Sequence, residues 1–347
     1  MTTLRSLLIV SCIAWSLPAQ AETPKPKNQK PNPEAAGDAS KPKRYAPGPD
    51  LEVQAGVPQG KLEGPFLFHS KVIENTTRKY WIFVPSQYTP ENPACVLVFQ
   101  DGARAINPAG VLRVPNVLNN LIARKEIPVT IGIFVTPGER GEEYPDSIGL
   151  KNPNNRSVEY DSLGDAYPRM IVDELLPEVG KRYKLRQDAS GRAIGGASSG
   201  GIAAFTVAWE RPKEFRNVIS LIGSFTNLRG GHVYPELVAQ APNKGLRVFL
   251  QDGIFDNRNP DDLTKDWYLQ NEAMAGALLS QKYDLLYVTG EGGHSDDHGG
   301  ALLPCALQWI WRDEPGVVKP KVDPAVAAKL LRPGGAHEQM SQPKPKK

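Results

Sequence analysis

The run Gly196-Ala197-Ser198-Ser199-Gly200 fits G-x-S-x-G, with Ser198 in the central position. Small flanking residues let a strand and a following helix approach closely, and the sharp turn between them holds the central hydroxyl at its tip. A hydroxyl near its ordinary pKa is a poor nucleophile and needs a base, and the base needs a group that orients it. The chain supplies both downstream, in the order serine, acid, histidine. "RVFLQDGIFDNRN" carries Asp252 at the end of an apolar run and Asp256 on the loop beyond it, and "YVTGEGGHSDDHGG" carries His294 and His298 after the next run. His294 follows Gly290-Glu291-Gly292-Gly293, a loop able to bring an imidazole across to the serine. These residues suit acyl transfer at a carbonyl, with Ser198 as nucleophile, His294 as base and Asp256 as acid. Asp252 is the alternative acid, otherwise expected to brace its loop through backbone N–H groups.

Such chemistry also needs donors for the developing oxyanion. The backbone N–H of Ser199, at the start of the helix, is one candidate. The other is expected from "CVLVFQDGARAINPAG", through the N–H of Ala103 or of Gly102. Arg104 beside them is a candidate contact for a substrate carboxylate or sugar hydroxyl. His298, at the mouth of a helix expected from Gly300 to Arg312, is a candidate helix cap, substrate contact or substitute base. His69, His232 and His337 read as surface or packed histidines. A metal site built from His294, Asp296, Asp297 and His298 has suitable residue types, but the close spacing brings no distant ligand and leaves the Ser-acid-His order unexplained. Neither a metal nor a cofactor is expected.

Several elements must position these residues. "GPFLFHSKV" and "RKYWIFVP" read as an antiparallel strand pair. The apolar runs that follow, "CVLVFQ", "VTIGIFVTP", "GRAIGG", "FRNVISLIG", "LRVFLQDG" and "YDLLYVTGEGG", are short, and helical stretches such as Val111 to Arg124 and "RMIVDELLPEVGKRY" separate them. Runs of this kind predict an α/β fold: a mostly parallel central sheet, covered by helices on both faces, with the antiparallel pair on its N-terminal side. Ligands of such folds bind outside the carboxyl ends of the strands, where Gly102, Ser198, Asp256 and His294 would all lie.

The remaining sequence frames this domain. Residues 1–21 combine an early positive charge, an apolar run and small residues around Gln20, the layout of a signal peptide cleaved after Ala21, so a periplasmic or secreted location is expected. Residues 22–50 read as a Pro/Lys-rich disordered linker, 51–316 as the catalytic domain and 317–347 as a Pro/Lys-rich tail in which "VDPAVAAKLL" can form a short helix. No later segment has the roughly 20 continuous apolar residues of a membrane helix. The formal net charge is +3, and a good part of it comes from the tails, so no nucleic-acid partner is expected. Outside the signal, Cys95 and Cys305 sit in apolar settings that fit either one disulfide or two buried thiols. Nothing in the sequence fixes an oligomeric state.

"FQDG" (99–102), "NRSVEYDSLGDAYPRMIVDELLP" (155–177), "GGASSGG" (195–201), "FLQDGIFDN" (249–257) and "EGGHSDDHGGALLPCALQWIWRD" (291–313) occur together and in this order. The combination resembles the putative-esterase family of alpha/beta hydrolases, which includes enterochelin, feruloyl and acetylxylan esterases, esterase D and mycolyltransferases. That resemblance implies the same triad, Ser198, Asp256 and His294. It also implies that the segment from Arg156 to Asp161 lies near the active-site mouth, with Glu159 and Asp161 stabilising it or touching substrate. An exported serine esterase acting on a small-molecule or carbohydrate-linked ester is the expected function, with a sugar-linked acyl ester or a siderophore-like lactone as substrate. An acyltransferase using an alcohol acceptor, and a non-catalytic binding protein on the same fold, are the alternatives. The segment before Gly64 is too short for the extra N-terminal domain of full-length enterochelin esterases.

Overall fold

A computed structural model describes residues 41–141, 143–145 and 153–333. The expected signal peptide, linker residues 22–40 and tail residues 334–347 lie outside the described residues. Eight strands form one sheet: β1 (Lys61–Ser70), β2 (Thr76–Val84), β3 (Cys95–Gln100), β4 (Thr130–Val135), β5 (Arg192–Ala197), β6 (Asn217–Leu221), β7 (Arg247–Phe255) and β8 (Asp284–Gly293). Their spatial order is β1-β2-β4-β3-β5-β6-β7-β8. The first pair is antiparallel, β2 meets β4 antiparallel, and every later pairing is parallel. Strands β3, β4, β5 and β6 bury every residue, as parallel strands covered on both faces must.

The alternation along β3 shows how the two layers are built. Val96 and Val98 enter the core on one face, and Leu97 and Phe99 enter the core on the other. The helices are α1 (Gly102–Ala105), α2 (Val114–Ala123), α3 (Arg156–Tyr160), α4 (Ala166–Arg169), α5 (Leu176–Gly180), α6 (Ser199–Glu210), α7 (Tyr234–Gln240), α8 (Trp267–Ser280), α9 (Asp296–Ile310) and α10 (Pro324–Leu330). A wider helical turn, Met170–Leu175, joins α4 to α5. Helices α6, α7 and α8 pack with the Val96 face, and α2, α9 and α10 with the Leu97 face.

Two boundaries differ from the sequence expectation. The linker was expected to run to Asp50, yet Tyr45 is only 4% exposed and its ring stacks on His298 with centroids 4.0 Å apart. Its N–H donates to Asp297 Oδ2 at 3.2 Å, and its hydroxyl accepts the Glu291 N–H at 2.9 Å. One aromatic ring with these partners offsets the ordering cost of a few residues, although the segment's average composition is that of a solvated chain. At the other end, α10 buries Ala327 and Ala328, and the Asp323 carboxylate caps it by accepting the Ala325 N–H at 2.8 Å. Cys95 and Cys305 are free thiols, and burial pushes each up to about 12.

Candidate active site

The turn from β5 into α6 is made at Ser198, whose φ of 57° and ψ of −123° lie in a region that residues with a side chain rarely adopt. Backbone contacts hold it there. Its N–H donates to Leu221 O at 2.9 Å, and its carbonyl accepts from Gly201 N at 2.9 Å, Ile202 N at 3.2 Å and Ser224 N at 3.1 Å. A side chain at Gly196 could not share this turn, because a Cβ there would stand 2.5 Å from Gly200 O. The hydroxyl is thereby held at the carboxyl end of the sheet.

His294 Nε2 lies 2.8 Å from Ser198 Oγ, and His294 Nδ1 lies 2.6 Å from Asp256 Oδ1. The Asp256 side chain is fully buried, whereas that of His294 keeps 22% of its surface exposed. Asp256 Oδ1 also accepts the Asn257 N–H at 2.5 Å, a second donor on the oxygen that meets the ring. Trp267 packs edge-on against the imidazole at a centroid separation of 5.4 Å, and its indole N–H donates to Ser224 Oγ at 3.1 Å. Ser224 Oγ in turn lies 3.3 Å from Ser198 Oγ. Ser224 and Trp267 were not singled out from the sequence; neither belongs to a spaced motif, and their only local signal is a position just after β6 or at a helix start.

Asp101 stands at the N-cap of α1 with φ 54° and ψ 49°. Arg156 of α3 grips its carboxylate with two hydrogen bonds of 2.9 and 2.8 Å. The turn also needs a glycine next, since a Cβ on Gly102 would stand 2.5 Å from the Phe134 backbone. The N–H groups of Gly102, Ala103 and Ser199 belong to first helical turns, where no carbonyl of the same helix can satisfy them. They are therefore free of intrahelical duty.

The other expected site residues separate into two groups. Arg104 has a half-exposed side chain, paired with the buried Asp296 of α9. Asp161 is buried, and burial raises its carboxyl above the usual range, with the nearby Ser157 and Ser199 hydroxyls acting against that rise. Both remain close to the loops that carry the triad residues. Glu159 and His298 do not fit as substrate contacts. Both Glu159 oxygens are committed to Arg78, at 2.8 and 3.1 Å, and further to Gly138 N and Asn155 Nδ2, all in the interior. His298 lies inside α9, which starts at Asp296 rather than near Gly300; Gln251 Nε2 meets its Nδ1 at 3.0 Å, and Tyr45 covers its ring. Burial pulls its imidazole down to about 4. Asp252 accepts the Gly253 N–H at 2.9 Å.

The strand order, the strained serine turn and the Ser-His-Asp contacts together define an α/β-hydrolase fold. Residues 70–299, about two thirds of the chain, match the family model described as Putative esterase, and the chain belongs to that family. Its fold is homologous to that of known carboxylic ester hydrolases. The Iron(III) enterobactin esterase of Escherichia coli O6:H1 is 25% identical over 238 residues, 66% of this chain and 52% of that protein. The endo-1,4-beta-xylanase/feruloyl esterase of Xylanibacter ruminicola is 28% identical over 123 residues, 34% of this chain and 15% of that protein. An uncharacterized Bacillus subtilis protein is 20% identical over 67% of this chain and 92% of its own length. Among solved structures, the enterobactin esterase of Shigella flexneri has a TM-score of 0.58 at 23% identity, covering 77% of this chain and 62% of that one. A ferulic acid esterase of Anaeromyces mucronatus has a TM-score of 0.55 at 12% identity, covering 81% and 97%. At these identities the structures carry the fold alone. Among the described residues, no helix is long and apolar enough to cross a membrane.

Proposed function

We propose that the protein is an exported serine esterase that cleaves a carboxylic ester through an acyl-enzyme. The observation that carries this reading is the continuous hydrogen-bonded line from Ser198 Oγ through both nitrogens of His294 to Asp256. In the proposed cycle, Ser198 Oγ attacks the ester carbonyl while His294 Nε2 takes its proton. Asp256 holds the ring with Nδ1 protonated and faces the imidazolium as it forms. The tetrahedral oxyanion meets the N–H of Ser199 and that of Ala103 or Gly102. Collapse returns the proton to the leaving alcohol, and water repeats the sequence to release the acid. Arg104 and Asp161 border the substrate.

The substrate class follows from the relatives by name, an enterobactin esterase and a xylanase/feruloyl esterase: a siderophore-like lactone or a sugar-linked acyl ester. The purified mature protein should hydrolyse one of these classes in a screen of small acyl esters, aryl sugar esters, glucuronate esters and catecholate lactones. Inactivity on all of them, with Ser198 unreactive to a fluorophosphonate, would refute the esterase reading. Product analysis with an added alcohol separates hydrolysis from acyl transfer. Export rests on the pattern of residues 1–21, and N-terminal sequencing of envelope material should begin at Glu22; an intact Met1 on correctly located protein would overturn it.

A further inference from the structure

Asp252 and Asp256 end the same strand, and both are buried. Each carboxyl group has one oxygen in use. Asp252 Oδ1 accepts the Gly253 N–H, and Asp256 Oδ1 accepts from His294 and from the Asn257 N–H. The second oxygen of each is sealed from solvent and has no other donor. The Asp256 N–H donates back to Gly253 O at 2.9 Å, so the chain turns at the strand end and sets the two buried carboxyl groups side by side, and the neighbouring Asp256 is one cause of the raised Asp252 carboxyl. A carboxylate only accepts, so two carboxyl groups placed in this way need a proton between them.

The surroundings decide which group carries it. Asp256 has two N–H donors on its charged form, and Asp252 has one. The groups facing Asp252 from the packed elements offer no relief. Glu272 and Tyr268 come from α8 and Tyr287 from β8, with the Tyr287 hydroxyl donating to Glu272 at 2.9 Å. Arg258 is engaged by Asp266 at 2.8 Å and lies over the Tyr268 ring. Resting on the triad reading above, we propose that Asp252 is a positioning residue acting as a neutral carboxylic acid, its Oδ2–H donating to Asp256 Oδ2 and locking the Asp256 carboxylate with Oδ1 aimed at His294 Nδ1. Burial first, and then the neighbouring Asp256, push the Asp252 carboxyl well above the usual carboxylate range. The triad thus extends one residue further into the protein, and that residue supplies a hydrogen bond and no charge.

Asparagine can imitate this neutral acid, since its amide donates to Asp256 while its carbonyl accepts from Gly253; leucine cannot. Asp252→Asn should keep kcat within about 3-fold of wild type, whereas Asp252→Leu should lose at least about 10-fold in kcat with little change in KM, because Asp256 then lacks a donor. The folded protein holds a proton that the unfolded chain releases above about pH 4, so stability conferred by protonated Asp252 is present below that pH and declines as pH rises. The thermal midpoint of Asp252→Asn should therefore gain on wild type from about pH 5 to pH 9. At neutral pH, the infrared spectrum of wild type should show the carbonyl stretch of a protonated carboxyl, shifted in D2O and lost in Asp252→Asn. These last two readouts stand even if the leucine variant fails to fold. A dead Asp252→Asn, a midpoint gap that shrinks with rising pH, no band lost, or a fully active leucine variant would each overturn the proposal. An active Asp256→Asn is a different result: it would overturn the triad reading itself.

Discussion

Ser198 is held by its neighbours in the sheet, whereas His294 is held by a segment from the far end of the described chain. The serine turn draws on β5, β6 and the first turn of α6, whose backbone groups hold a positive-φ conformation costing on the order of 1 to 3 kcal/mol. The histidine follows the glycines of β8, which supply little packing of their own. Its loop is braced from outside: Lys43 N donates to Glu291 O at 2.7 Å, Glu291 N donates to the Tyr45 hydroxyl, and the Tyr45 ring covers His298. Ser198 is thus preorganised by local geometry, and the His294 loop by a tertiary contact with residues at the start of the described chain.

Substitutions on the two sides should separate these modes. The largest effect is expected for Ser198→Ala, with kcat lower by roughly 10⁴ or more and the thermal midpoint nearly unchanged, because the hydroxyl supplies chemistry and little packing. Glu159→Ala should have the opposite signature. Leaving Arg78 buried without its partner costs about 3 to 5 kcal/mol, while kcat per folded molecule should stay within about 3-fold of wild type. Tyr45→Ala is expected to do both, lowering stability by roughly 3 kcal/mol as a buried aromatic is removed and lowering kcat through the loosened His294 loop. Tyr45→Phe keeps the stack and loses only the hydrogen bond from Glu291, at a cost of about 1 kcal/mol. Denaturant midpoints and steady-state kinetics on each variant would test this division.

A further effect, spread over a pH range, concerns His298. The folded His298 imidazole titrates near 4, below its unfolded value of about 6.5, so the unfolded chain takes up the proton first on acidification. The stability contributed by neutral His298 is complete above about pH 6.5 and is lost as pH falls through about 4, by roughly 3 kcal/mol in all. His298→Gln should flatten this part of a plot of thermal midpoint against pH. The smallest change is expected for Ser199→Ala, within about 10-fold in kcat, since the proposed contribution is a backbone N–H that any residue provides.

The sequence exposed those features that depend on short-range pattern. β5, the serine turn and α6 were legible because G-x-S-x-G follows an apolar run and precedes another. The six-residue interior strands were legible because burial on both faces leaves an unbroken apolar signature. Other features depended on partners far away in sequence. Tyr45 lies in a segment whose composition is that of a solvated linker, and only His298 and Glu291 make it structural. Glu159 sits in a segment that family likeness puts at the mouth, but Arg78, on β2, draws its carboxylate inward. Asp252 ends an apolar strand, and nothing in its local pattern shows that its side chain lies beside that of Asp256.

The most direct test of the account is to treat the intact mature protein with a fluorophosphonate probe and locate the adduct by peptide mass spectrometry. A single adduct on Ser198 is expected, absent from Ser198→Ala and formed far more slowly in His294→Ala. An adduct on Ser199, or labelling of Ser198 that proceeds equally fast without His294, would contradict it.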